Sequence, residues 1–157
     1  MTRREDLQKD GYLVVPGMVP ADLCQAVVAD IEWHVAGDEH GEPSLPDGYG
    51  WVEMYHHQSM WDVRQYPAVH AVFAELFGTE KLWVSIDRCN CKYPLDEHAE
   101  GHSFIHWDAC VNERPRPFAI QGVVALADTD ETMGGFRCLP GLYRNLDTWL
   151  AGQPCGK

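Results

Sequence analysis

No stretch of the 157-residue sequence approaches the roughly 20 consecutive apolar residues that a membrane-spanning helix needs, so no transmembrane segment is expected. Basic residues are scarce: 12 Lys and Arg stand against 24 Asp and Glu, a formal charge of −12. A field of that sign repels phosphate backbones and anionic headgroups, which removes nucleic acid and membrane surfaces from the expected partners. The opening residues Met1-Thr2-Arg3-Arg4-Glu5-Asp6 turn acidic where an export signal would continue into an apolar run, and a cytoplasmic setting is expected. The six cysteines, at 24, 89, 91, 110, 138 and 155, include no Cys-x-x-Cys pair. A chain of this length does not depend on disulfide staples, so they read as mostly free thiols in a reducing compartment. Cys89 and Cys91 would share a strand face, and packing as small hydrophobes is the favoured reading over a zinc site. Internal repeats and low-complexity tracts are also absent.

What is present is a globular composition, 45% hydrophobic and 23% charged, long enough for one domain over 1–157 with a substantial core. A short polar helix is expected over 3–10. Asp10-Gly11 then punctuates, and Tyr12-Leu13-Val14-Val15 reads as a strand stopped at Pro16-Gly17. After Pro20 the residues Leu23, Val27, Val28, Ile31 and Val35 recur at spacings of three and four, a helix ending near Gly37. The Gly-, Pro- and acid-rich stretch 38–48 reads as a loop, its Asp38, Glu39, Glu42 and Asp47 solvated rather than set out as a cation site. Ser59 is a candidate cap for a turn through Arg64, and Pro67 opens a helix carrying Val69, Val72, Phe73, Leu76 and Phe77 to a stop at Gly78.

Beyond Gly78 the pattern changes. Residues 82–88 alternate, and 104–108, 118–126 and 136–139 read as further short strands, with a short helix towards Leu150. Helical elements over 1–78 followed by strands over 79–157 predict a mainly β, α+β chain, a sandwich or barrel with the helices packed outside.

The residues that carry chemistry centre on His106. In an extended segment His106 and Asp108 project from one face, with Trp107 opposite. An imidazole and a carboxylate so placed are two corners of the facial triad that holds non-haem Fe(II) and leaves open positions for cosubstrate and oxygen. Taken alone, His-x-Asp is a weak signal. It stands among four ordered motifs: Gly11-Tyr12-Leu13-Val14-Val15-Pro16-Gly17, Lys92-Tyr93-Pro94, Gln121 to Thr129, and Gly134-Gly135-Phe136-Arg137-Cys138-Leu139-Pro140-Gly141.

In that order the motifs resemble the phytanoyl-CoA dioxygenase family of Fe(II)/2-oxoglutarate oxygenases, from Asp10 to about Trp149. The resemblance implies a double-stranded β-helix (a jelly roll), with His106 and Asp108 as the first two iron ligands. It also implies Lys92 and Gln121 on the cosubstrate side, and a reaction that couples hydroxylation of a small organic substrate by molecular oxygen to conversion of 2-oxoglutarate into succinate. Retention of Asp108 favours hydroxylation, because the related halogenases replace this carboxylate with a small residue.

The sequence departs from the family at its far end. A distal histidine and a cosubstrate-binding arginine are expected beyond the Pro-Gly turn, yet no histidine follows His106, and Gly141-Leu142-Tyr143 stands where Gly-Ser-His is usual. Arg144 is more simply a surface arginine than a carboxylate clamp, and His56, His57, His98 and His102 are the remaining candidates for a third ligand. The expectation is a partial jelly roll: the N-terminal part of a longer enzyme, or a short form that pairs with itself to cover open sheet edges. The alternatives are a non-catalytic scaffold that binds a partner or ligand, and an unrelated acidic binding module with a chance His-x-Asp.

Overall fold

The computed structural model describes residues 2–37, 50–93, 105–108, 110–111, 113–116 and 118–153. The helices lie close to where the sequence puts them. Helix α1, Arg3–Asp10, starts in a reciprocal box in which the Thr2 hydroxyl accepts from Glu5 N–H and the Glu5 carboxylate accepts from Thr2 N–H. It stops at Gly11, whose φ of +80° is left-handed. Helix α2, Ala21–Ala36, ends at Gly37 as its spacing predicts, and buries Cys24, Val27, Ile31 and Val35 along one face.

Strand β1, Trp51–Val52, precedes α3, Gln58–Arg64, and α4, Pro67–Phe77. Proline at the first turn of α4 costs no hydrogen bond, and Gly78 at φ +72° closes the helix. Ser59 does not cap α3. Its hydroxyl donates instead to Asp30 of α2, a bond that locks the two helices together. Strand β2, Cys89–Asn90, pairs antiparallel with β1, Trp51 opposite Asn90 and Val52 opposite Cys89. Two short helices, α5, Pro140–Arg144, and α6, Leu146–Ala151, occupy the tail.

The core lies between α2, β1 and α3: Val27, Ile31 and Val35 meet Val52, Met54, Met60 and Val63, with Leu23, Cys89, Cys91 and Leu126 packed around them. Each such side chain contributes roughly 1.5–3 kcal/mol by leaving water. The described cysteines, Cys24, Cys89, Cys91, Cys110 and Cys138, form no disulfide, and burial pushes the Cys89 thiol above its ordinary range.

The jelly roll expected from the sequence is not the fold. Helix makes up 42% of the described residues, and strand is confined to the small β1–β2 sheet, so the chain is not mainly β and its helices build the core rather than flank it. Residues 12–15, 82–88, 105–108, 118–126 and 136–139 carry no ladder. The reason is physical: alternation marks a segment that suits a pleated surface, but a strand exists only when a neighbour accepts its hydrogen bonds. Many of the apolar side chains of these stretches stand in solvent, Trp83 99% and Val123 78% exposed, whereas Leu126 packs against the core. The stretch 38–48, His98 and His102 lie outside the described residues.

Candidate functional site

His106 and Asp108 sit in a stretch without regular structure, yet the two side chains meet. Nε2 of His106 lies 3.0 Å from Oδ1 of Asp108, and both groups are about half exposed. The amide of Gln121 closes on the same carboxylate from the other side: Nε2 donates to Oδ2 of Asp108 at 2.6 Å. Three of the four residues singled out in the sequence therefore share one point.

Helix α4 supports this arrangement. The Phe118 ring stands edge-on to Phe77 at 5.6 Å, with the Arg4 guanidinium 5.7 Å above it. Gly122 lies so close to Phe73 that a Cβ there would come within 2.9 Å of the ring, and Leu126 reaches the main core. Gln121 is thus carried by a stretch fastened to α4 by aromatic contacts.

Lys92 lies elsewhere. Its stem runs beside Gly50 and Gly134, and its ammonium makes no hydrogen bond or ion pair among the described residues. Arg144 is committed to structure, donating to the Lys9 carbonyl at 3.0 Å and to the Asp10 carboxylate, which ties α5 to the end of α1. It is not a carboxylate clamp.

The His106–Asp108 pair is compatible with a metal ion as far as it goes. Two donor atoms about 2.1 Å from one ion and at right angles to each other stand about 3.0 Å apart, the separation seen here. A borderline nitrogen donor with a hard oxygen donor suits a first-row divalent metal. Among the described residues no group of three His, Cys, Asp or Glu side chains converges, so the pair supplies two positions and His56 and His57 do not complete them.

Those two histidines belong to a second feature. With His34, Glu53, Met54 and Tyr55 they line an open cleft of about 420 Å3. The His34 and His57 rings stand perpendicular with centroids 6.1 Å apart, and Nε2 of His34 is buried without a hydrogen-bond partner among the described residues. Tyr55 donates to Glu53 at 2.5 Å, and this bond to a carboxylate is the main reason the phenol is held above its usual range. Arg88 bonds Glu53 at 3.1 Å while its guanidinium covers Trp51 at 4.7 Å. His34 joins from α2, about twenty residues before the pair, and no local motif could have announced it.

The chain is similar to Ava biosynthesis cluster protein O of Aspergillus versicolor. Identity is 23% over 164 residues, covering 96% of this chain and 53% of that protein, so the chain spans about half the length of the relative. No family model matches the sequence, and no solved structure matches it.

Proposed function

We propose that the chain carries the iron-binding half-site of an Fe(II)/2-oxoglutarate-dependent oxygenase that hydroxylates a small organic substrate. The observation that carries this reading is the 3.0 Å hydrogen bond between His106 Nε2 and Asp108 Oδ1 on an exposed stretch, which brings two side chains of metal-ligating type together. The motif order read in the sequence is in keeping with it. The reaction balances as R–H, 2-oxoglutarate and O2 giving R–OH, succinate and CO2. When bound, ferrous iron supplies the redox chemistry with the cosubstrate and oxygen.

The residues of this chain bind and orient. His106 offers an imidazole nitrogen and Asp108 a carboxylate oxygen, while their exposure leaves the outward side open to cosubstrate. Lys92 packs by Gly50 and Gly134, apart from the pair, so its assignment to a cosubstrate carboxylate rests on the motif order alone.

Anaerobic titration with Fe(II), or with Co(II) as an oxygen-stable stand-in, tests the reading. His106→Ala and Asp108→Ala should each abolish measurable binding. Unchanged affinity in both variants would sink the proposal.

A second reading, a non-catalytic scaffold that binds a partner or a further copy of itself, draws on the exposed apolar side chains Trp83, Val123 and Phe136. A stable oligomer in sedimentation, together with no metal binding and no succinate formation, would favour it.

A further inference from the structure

Both oxygens of Asp108 are accounted for, and by different kinds of group. Oδ1 faces the imidazole nitrogen of His106, and Oδ2 accepts from the side-chain amide of Gln121. An ionised carboxylate only accepts, so the amide has to turn its NH2 group inward. The donor is neutral. A lysine or arginine at 121 would compete with a metal for the carboxylate charge and a glutamate would repel it, whereas an amide fixes the oxygen and leaves the charge in place.

We propose that Gln121 is a positioning residue of the metal site, which holds Oδ2 of Asp108 so that the carboxylate offers a metal one oxygen, Oδ1, beside Nε2 of His106. The inference rests on the oxygenase half-site proposed above and assigns Gln121 to the metal ligand instead of to 2-oxoglutarate. Its rigidity comes from α4: Phe77 against Phe118 and Phe73 against Gly122 bracket residue 121 on both sides. Hydrogen-bonding partners of metal ligands typically contribute 10- to 100-fold in affinity or activity.

The test uses Co(II) alone, titrated into the full chain and read by calorimetry and by the visible absorption of the bound ion. Gln121→Met, similar in length but without the donor, should weaken binding about 10-fold or more. It should also change the cobalt spectrum, because Asp108 is then released to chelate through both oxygens. Gln121→Glu, which replaces the neutral donor by a second carboxylate beside the ion, should move both affinity and spectrum away from wild type.

Gln121 is exposed, so both single variants should keep the circular dichroism and melting temperature of the parent. Wild-type affinity and spectrum in both variants, with binding still lost in Asp108→Ala, would overturn the role of Gln121 and leave the half-site standing. Full affinity in Asp108→Ala and His106→Ala would instead remove the half-site itself.

Discussion

Residues 51–55 alternate in burial and residues 82–88 alternate in sequence, yet the two stretches end in opposite surroundings. Val52 and Met54 are 1% exposed, whereas Trp83 is 99% and Ile86 47% exposed. The first stretch has a partner: β1 pairs with β2, and α2 and α3 cover its inner face. The second has no ladder to enter before Cys89. The same contrast divides the chain more broadly, because Leu146 is the one buried apolar side chain after residue 80 among the described residues. Alternation states which side of a strand would be apolar. What is buried depends on whether another element arrives.

Truncation at the core should show the widest gap between the two regions. Met54→Ala leaves a cavity between α2 and α3 and should cost about 2–5 kcal/mol, the usual range for a large buried aliphatic side chain. Phe136→Ala, at a residue 73% exposed, should stay within about 0.5 kcal/mol. Urea unfolding of both variants measures the difference. A large loss at Phe136 would mean that the later region is packed far more tightly in solution.

The gap also explains what could be read from sequence. Helices were legible because each satisfies its own backbone: the Leu23 to Val35 spacing with Gly37, and Pro67 with Gly78, mark α2 and α4 to within a residue. Strands 118–126 and 136–139 were expected and are not there, since strand pairing is a property of two segments and sequence patterning reports on one. The site divides in the same way. His106 and Asp108 meet because two residues separate them, a local relation, whereas the bond from Gln121 to Asp108 spans 13 positions and depends on α4. Lys92 shares a motif order with them but packs by Gly50 and Gly134.

A second and smaller break is available where the regions join. Gly11 has φ +80°, and a Cβ built on it would lie 2.5 Å from Cγ of Tyr143 on α5. Gly11→Ala therefore combines left-handed strain, about 1–2 kcal/mol, with displacement of the tyrosine ring. The expected result is a loss of at least that size, with increased hydrogen exchange confined to α1 and α5. Loss without any local change in exchange would show that the α1–α5 contact is not what Gly11 protects.

The smallest effect is expected from acid, at the later region's ion cluster. Arg114 bonds Oδ1 of Asp147 at 2.7 Å and Arg116 bonds the same atom at 2.5 Å. The Arg116 bond is the main cause that holds the Asp147 carboxyl below the usual carboxylate range, with partial desolvation opposing it. A lowered folded value means that the ionised form stabilises the fold. That contribution is complete above the unfolded value near 3.9, and it fades as pH falls through the lower folded value. Asp147→Asn should therefore lower the melting temperature slightly at pH 7 and converge on wild type as pH falls through the lowered folded value. The side chain is 71% exposed, so added salt should shrink the difference as well. A gap that persists at low pH and in high salt would assign the loss to packing of α6 against residues 113–116 in place of charge, and would make the later region better ordered than its burial indicates.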